Sequence, residues 1–294
     1  METIPENPPP GRAHLTREGP AGWSARSRAV VWVLLWITAR EAGAADYSVY
    51  SNWSDMDQAT GARYVPAQRI SGTNGYTGFW FFGAEQFDLS NRYPLAMTVY
   101  VKDREVNRDD VGDIGYFDIQ NDNQWTKIGT TTAWNWQQGC RLQWRLNSDE
   151  IAWNDRASDN SHFITKLYNF KTKATRTLPR PVYHISPDGK LATSQDFQRI
   201  KWGGCNYVGI PDPWARQNTP TETGIWIVDM ETGESKLAMS LDRISRIARP
   251  DGWPSSFGEL YVFRSYWNTT GARFVTYLRI QRRRIRGQGV HDEP

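Results

Sequence analysis

The stretch LQWRLNSDEIAWND, residues 142–155, decides the fold. Two short runs rich in aromatic and branched residues flank a polar turn, and this pattern predicts a pair of antiparallel strands. The segment VYHISPDGKLATSQD (182–196) repeats the arrangement, with Pro-Asp-Gly (187–189) at the turn. Glycine there supplies the positive φ that tight turns require. Looser copies occupy 85–99 and 263–278, so the unit recurs along the chain.

A second unit of two strands alternates with the first. Its copies are DIGYFDIQNDNQWTKIGT (113–130), FITKLYNFKTKATRTLP (163–179) and GIWIVDMETGESKLAMS (224–240). Each has a strand, a polar residue, a turn and another strand; the polar residues are Asp118, Asn169 and Asp229. The two units together make four strands per repeat, which is typical of a β-propeller blade. A β-sandwich would also give many short strands, but it would not repeat internally.

The sequence therefore predicts an all-β fold, a β-propeller of four-stranded antiparallel blades. The polar markers are separated by 51 residues (118 to 169) and by 60 residues (169 to 229). Both spacings exceed the roughly 40–45 residues usual for propeller repeats, so some connections are long. About four blades are recognisable, at the low end of the roughly 4–8 with which propellers close. We expect a truncated propeller, or one that reaches four blades by an irregular closure; the open blade edges of a truncated one would allow self-association.

Three segments with different compositions divide the chain. Residues 1–45 are predicted to be a disordered, signal-like segment, 46–280 the propeller domain, and 281–294 a basic disordered tail. The apolar run AVVWVLLWIT (29–38) is too short to span a bilayer, so no transmembrane span is expected. This run follows basic residues and precedes AGAA (42–45), which predicts a secretory signal and a periplasmic or extracellular location. A cytoplasmic protein with an internal apolar helix is the alternative.

Composition and charge exclude several classes of protein. Aromatic residues make up 13% and charged residues 23%, a globular rather than a disordered composition. The net charge is only +3, and much of the basic excess lies in QRRRIR (281–286), so no nucleic-acid partner is expected. Cys140 and Cys205 have no CxxC or CxxH neighbour, which disfavours zinc. They are interpreted as two buried thiols, with a single bridge as the alternative. No cofactor motif is present.

The stretch TTAWNWQQGCRLQW (131–144) is the candidate floor of a site, because it combines tryptophans with several amides. In a propeller it would enter an innermost strand at the same rim as the long connections 101–113, 154–163 and 195–224. The predicted ligand-binding residues are Asp103, Arg104, Asn135, Trp136, Gln137, Gln138, Asp155, Arg156, Asp196, Arg199 and Tyr207. The alternatives are structural: amides that satisfy buried backbone, tryptophans in the core, and acid–base pairs that form salt bridges between blades.

The motifs AWNWQQGCRLQW, IAWND, LPRPVYHISPDGK, GIPDP and GIWIVDMETGES, in this order, resemble a family of uncharacterised bacterial β-propellers. That family is distantly similar to oligogalacturonate lyases and Tol-type propellers. The resemblance extends from Tyr76 to Ile280 and implies a six- or seven-bladed propeller in full-length relatives. It also implies comparison with lyases that hold a divalent metal through several histidines and a glutamine. Only His162 and His184 lie outside the terminal segments here, so no metal site is predicted.

Three classes of function remain open from the sequence. The favoured one is a ligand-binding propeller, for a glycan, a peptide or another small molecule at the cell envelope, because the expected mouth is rich in amides, aromatics and charges. The alternative is a carbohydrate-active enzyme similar to oligogalacturonate lyase, inactive in this truncated form. The third is a protein-interaction scaffold. No catalytic residue set is assigned.

Overall fold

The computed structural model describes residues 69–72, 74–201, 204–247 and 258–281. The predicted signal-like segment 1–45 and the basic tail after residue 281 lie outside these ranges. The described residues form fourteen strands, one 3-10 turn and one short α-helix. The prediction of a mainly β chain is confirmed.

Four strands form the first sheet and pair with their neighbours in sequence order. They are β1 (Tyr76–Gly78), β2 (Leu95–Val99), β3 (Gly112–Asp118) and β4 (Gln124–Thr131). All three pairings are antiparallel. The second half of this sheet matches the hairpin expected over 113–130.

The first half differs from the strand pair expected over 85–99. β2 pairs with β1, and Leu95 makes only a single ladder-like bond to the carbonyl of Gln86 (2.9 Å). The reason is Asp88, whose carboxylate accepts hydrogen bonds from the backbone N–H groups of Arg92 (2.9 Å) and Tyr93 (2.8 Å). A side chain that caps its own loop in this way competes with strand pairing.

The second and third sheets repeat the same four-stranded antiparallel order. The second contains β5 (Gln143–Arg145), β6 (Glu150–Arg156), β7 (Phe163–Asn169) and β8 (Thr175–Leu178). The third contains β9 (His184–Ile185), β10 (Leu191–Ser194), β11 (Gly224–Asp229) and β12 (Ser235–Ser240). The internal repeat of strand pair and hairpin is therefore confirmed.

Two further strands and a helix follow within the described residues. The α-helix α1 (Leu241–Ile247) directly continues β12, and β13 (Glu259–Trp267) and β14 (Phe274–Gln281) form a two-stranded antiparallel sheet. The sequence pattern had not indicated α1. β14 has no second neighbour among the described strands.

The polar marker residues act as turn caps. The side chain of Asp229 accepts hydrogen bonds from the N–H groups of Glu231 (2.8 Å) and Thr232 (2.9 Å). The side chain of Asn169 accepts hydrogen bonds from the N–H groups of Lys171 (3.0 Å) and Thr172 (2.8 Å). Each turn then passes through a residue with positive φ, Gly233 in one and Lys173 in the other. Identical side-chain capping explains why the hairpins recur in the sequence.

Successive sheets pack against each other through apolar layers. The first and second share the largest cluster, which includes Met97, Trp134 and Trp153. Trp153 is 1% exposed and its Nε1 donates to the carbonyl of Thr130 in β4 (3.2 Å). Other clusters join the second to the third sheet and the third to β13. Burying one such side chain contributes about 1.5–3 kcal/mol, so these layers determine how the sheets stack.

Candidate functional site

Loops from different sheets meet around the stretch that follows β4. The indole Nε1 of Trp136 donates to the carbonyl of Arg104 (2.8 Å), in the connection between β2 and β3. The backbone N–H of Gln137 donates to the carbonyl of Gly204 (3.1 Å), in the long connection between β10 and β11. The structure thus brings together three of the segments that the sequence placed at one rim.

The amide of Asn135 shapes this loop from inside. The residue is 1% exposed, and its Nδ2 donates to the carbonyl of Cys205 (2.9 Å). Its Oδ1 accepts from the N–H groups of Gln137 (3.2 Å) and Gln138 (2.6 Å). These contacts occupy the amide with backbone groups, which corresponds to the structural alternative for this residue.

The side-chain amides of Gln137 and Gln138 have different hydrogen-bonding partners from that of Asn135 and from each other. The Oε1 of Gln137 accepts from Arg264 Nη2 (2.9 Å) and from the Cys205 thiol (2.7 Å). Gln138 is 1% exposed, and its amide has no partner among the described residues apart from the neighbouring Cys205 thiol. Both cysteines are free and buried, and burial raises the pKa of the Cys205 thiol to about 11.

The tryptophans of this stretch belong to an aromatic cluster. Trp134 is fully buried, and its ring centroid lies 5.2 Å from that of Trp136 and 6.0 Å from that of Trp80. Trp136 also packs edge-on against Tyr76 at 6.4 Å. Trp136, the predicted ligand contact, is therefore half-buried in protein contacts on several sides.

The first predicted acid–base pair does not form between its own members. Arg104 makes a bidentate pair with Asp110 at 2.6 and 2.7 Å, within the same connection. Asp103 is exposed and lies 3.9 Å from Lys102. The Arg104 side chain holds the pKa of the Asp110 carboxyl below its ordinary value. This contact organises a surface loop.

The second pair is also divided between different partners. Asp155 lies 2.6 Å from Lys166 Nζ and accepts from the backbone N–H of Thr132 (2.9 Å). Arg156 donates through Nη2 to the carbonyl of Arg108, while its Nε has no partner among the described residues. Both side chains therefore connect the second sheet to segments of the first.

Arg199 lies in the long connection between β10 and β11 of the third sheet and stabilises it. It is 2% exposed and donates to Asp212 (3.1 Å) and to the carbonyls of Trp214 (2.9 Å) and Leu260 (2.9 Å). An arginine so fully occupied is structural. Tyr207 is likewise a core residue: it is 1% exposed, and its centroid stacks 4.3 Å from that of Phe197.

The described residues contain an open groove of about 600 Å³ between the second and third sheets. We call it the inter-sheet groove. Its walls come from the loop between β6 and β7, the connection from β8 to β9, and the connection from β10 to β11. The lining side chains with hydrogen-bonding or stacking capacity include Asn160, His162, Arg180, Asp196, Gln198 and Trp214. Of the predicted site residues, only Asp196 lines it.

Arg180 and Asp196 form an ion pair in the groove wall. Their Nη1 and Oδ1 atoms are 3.7 Å apart, and the Arg180 guanidinium lies 3.7 Å above the Trp226 ring. Asp196 also accepts from the hydroxyl of Thr223. Burial raises the pKa of Asp196 and lowers the pKa of Arg180, so the protein environment opposes both charged forms. A ligand that hydrogen-bonds to either group would relieve part of that cost.

The sequence reasoning missed Arg180, Gln198 and Trp214. Their signal was local: Arg180 stands between two prolines, and Trp214 follows Pro213. Proline in connections stiffens the backbone and holds exposed side chains in place. What the sequence did not reveal is that these two proline-rich connections face each other.

The histidines lie in different settings. His162 is exposed, with Nδ1 2.7 Å from the Ser161 hydroxyl. His184 Nδ1 accepts from the Trp267 N–H (3.2 Å), and burial lowers its pKa to about 4. In the described ranges, no three His, Cys, Asp or Glu side chains converge as a metal site would require. Among the same residues there is no helix long and apolar enough to cross a membrane.

No protein-family model and no curated protein matches this sequence. Among solved structures, the chain is similar to an oligogalacturonate lyase in complex with manganese, with 11% identity and a TM-score of 0.35. The match covers 76% of this chain and 52% of the lyase, so the chain spans about half the length of that protein.

Proposed function

We propose that this chain is a binding module that holds a small polar ligand in the inter-sheet groove. The observation that carries the proposal is the groove itself, which combines about 600 Å³ of open space with a partly buried ion pair and an indole. Sites for small molecules typically pair an apolar wall with a few fixed polar groups. Trp214 supplies the wall, and Asp196 and Gln198 supply the polar groups.

The ligand class that fits best is a neutral oligosaccharide, with a short peptide as the other candidate. Sugar rings present an apolar face for an indole and hydroxyl groups for a carboxylate or amide. Because Arg180 already pairs with Asp196 and stacks on Trp226, the groove has little uncompensated charge to favour an ionic ligand.

Binding is favoured over hydrolysis by the number of carboxylates. Glycoside hydrolysis generally needs two carboxyl groups flanking the bond. Of the described residues that line the groove, Asp196 alone carries one. Its raised pKa would suit proton donation, but nothing beside it in the lining could act as the second carboxylate.

Isothermal titration calorimetry after a glycan-array screen tests this proposal. We expect Gln198→Ala and Trp214→Ala each to weaken binding of the selected oligosaccharide by roughly tenfold, the loss of one good hydrogen bond or stacking contact. Gln120→Ala, on an exposed turn of the first sheet, is the matched control and should bind like the unmodified chain. Unaltered affinity in both groove variants would refute the site. Turnover of oligogalacturonate with added manganese would refute the non-catalytic assignment.

We further propose that the sheets are blades of a β-propeller. The support is the strict sequential order of four antiparallel strands in three consecutive sheets and the apolar layers between neighbours. A crystal structure in which successive sheets do not turn about a common axis would contradict it.

An exported location, in the periplasm or outside the cell, belongs to the same proposal. It rests on the apolar run 29–38 and the small residues 42–45. Fractionation of cells that express the full chain, with N-terminal sequencing, should find a mature protein beginning near residue 46; an intact N-terminus in the cytoplasm would exclude export.

A further inference from the structure

A buried arginine without an acidic partner lies near the start of the second sheet. Arg141 is 1% exposed, and its Nε donates to the carbonyl of Tyr183 (2.8 Å). Its Nη1 and Nη2 atoms are inaccessible to water and have no partner among the described residues. Its guanidinium carbon lies 4.0 Å from the Tyr183 ring centroid and 5.5 Å from that of Phe81.

Other donors without partners surround the same aromatic rings. Arg264 lies 4.6 Å from the Phe81 centroid, and its Nε is buried and unpartnered. The Tyr183 and Tyr266 rings pack edge-on at 5.8 Å, and their buried hydroxyls interact with each other but have no further partner among the described residues. We call the region bounded by Arg141, Tyr183, Arg264, Tyr266 and Phe81 the Arg141 pocket.

The hydrogen-bonding capacity of these atoms indicates which kind of ligand they could bind. The unpartnered nitrogens of the two arginines can only donate, and each tyrosine hydroxyl can donate as well. Within the described part of the chain, no carboxylate forms an ion pair with Arg141 or Arg264, whereas Glu150, Asp155 and Asp212 pair with other cations. An uncompensated buried guanidinium costs several kcal/mol, so a guest that accepts hydrogen bonds and carries negative charge is strongly favoured there.

The two unpartnered nitrogens of Arg141 determine which ligand geometry fits. Because Nε is occupied by Tyr183, the Nη1 and Nη2 atoms remain as a planar pair of donors, which matches the two oxygens of a carboxylate. The backbone of Arg141 has a φ of 56°, a left-handed conformation that is unfavourable for a residue with a side chain. Such conformations persist where the surrounding structure holds a side chain in a required place.

We propose that the Arg141 pocket binds the carboxylate group of a small anionic ligand. Nη1 and Nη2 of Arg141 form the bidentate contact, and whichever of the Tyr183 and Tyr266 hydroxyls does not donate to the other donates to a remaining lone pair. Arg264 adds positive charge beside the Phe81 ring. The pocket shares no lining residue with the inter-sheet groove, so this site is separate from the one proposed above.

Calorimetric titration of the full chain with acetate, acetamide and inorganic phosphate tests the assignment. We expect acetate to bind saturably at one site and acetamide, its neutral isostere, not to bind. Phosphate should bind more weakly than acetate because its tetrahedral oxygens match the planar donor pair less well. Acetate should also raise the melting temperature of the chain, since a ligand of the folded state stabilises it.

Variants separate the pocket from general charge effects. Arg141→Gln should reduce acetate affinity by at least roughly tenfold. Arg92→Gln, which removes an equal charge from the Asp118 pair of the first sheet, should leave it unchanged. If Arg141→Gln fails to fold, Tyr183→Phe keeps the ring and removes only the hydroxyl, and a severalfold loss of affinity is then expected.

Three outcomes would overturn the proposal. They are the absence of saturable acetate binding in the unmodified chain, tighter binding of phosphate than of acetate, and full affinity in both the Arg141→Gln and Tyr183→Phe variants.

Discussion

Replacement of Glu150 by glutamine should destabilise the chain substantially, because this side chain joins two arginines at the junction of the second and third sheets. Its carboxylate lies 2.5 Å from Arg145 Nη1 and 2.6 and 2.8 Å from Arg176 Nε and Nη2. Both arginines also donate to the third sheet, Arg145 to the Gly189 carbonyl (2.7 Å) and Arg176 to the Met230 carbonyl (2.7 Å).

The magnitude follows from burial and geometry. The side chains of Glu150 and Arg145 are 11% and 10% exposed, whereas Arg176 is 34% exposed and partly screened by solvent. Removing one member of a buried ion pair costs about 3–5 kcal/mol. Glutamine keeps one acceptor and solvent screens Arg176, so we expect a loss of about 3 kcal/mol in the free energy of unfolding. For a domain of this size, the melting temperature should fall by about 6–12 °C.

The loss should also depend on pH. Although burial alone would raise the pKa of Glu150, hydrogen bonds from Arg176 and Arg145 hold it below its ordinary value of 4.5. A carboxyl with a lowered folded-state pKa stabilises the protein above its unfolded pKa, and this contribution is lost as the pH falls through the folded pKa. The difference between Glu150→Gln and the unmodified chain should therefore shrink below pH 4.5.

Urea denaturation followed by tryptophan fluorescence measures both effects, since urea, unlike guanidinium, does not screen charges. Glu231→Gln is the matched control. Glu231 lies 3.1 Å from Arg145 but is 78% exposed, so its loss should cost less than about 0.5 kcal/mol. If Glu150→Gln is as stable as this control at neutral pH, or if its deficit persists unchanged in acid, the buried network does not stabilise the junction.

Three further predictions concern individual side chains. Asn154→Ala should lower the free energy of unfolding by about 2–3 kcal/mol, because the buried amide forms hydrogen bonds with the Val182 backbone and the Tyr207 hydroxyl. Urea denaturation measures this loss, and a value below about 0.5 kcal/mol would contradict the prediction. Because burial raises the pKa of Asp196, the free energy of unfolding of the unmodified chain should increase as the pH falls through that pKa towards 3.8. The Asp196→Asn variant should lack this increase, and identical pH profiles of the free energy of unfolding in both proteins would refute the assignment. If the chain self-associates through the edge strand β14, Val275→Lys, at a 55% exposed position, should lower the oligomer fraction in light scattering, whereas a monomeric unmodified chain would remove the premise.

Much of the fold could be predicted because its signals are local. Asp229 and Asn169 cap turns with their own side chains, and Gly189 has a φ of 73° at the predicted turn. Such features depend on residues within a few positions of each other, so they are visible in the sequence. The prediction of a strand pair over 85–99 was wrong. Asp88 closes a loop there with its own side chain, and the pattern of apolar residues did not reveal that this loop competes with strand pairing.

The candidate site was less predictable because its contacts join distant segments. Asn135 was predicted to contact a ligand, yet its amide donates to the carbonyl of Cys205, 70 residues away. The acid–base pattern at Asp103, Asp155 and Asp196 suggested similar pairs, but each carboxylate has a different partner. A recurrent sequence pattern records residue types and not the neighbours that they meet.

The sequence by itself determined most of the strands and their repeat, since alternation, turn residues and side-chain caps act over short range. Only the tertiary structure decided which polar groups find partners. It placed Arg180 beside Asp196 in an open groove, and it buried Arg141, from the stretch that first suggested a site, with two nitrogens unpaired among the described residues. The physical reason is that burial and partner choice depend on how whole sheets pack, which the free energy of many distant contacts sets together.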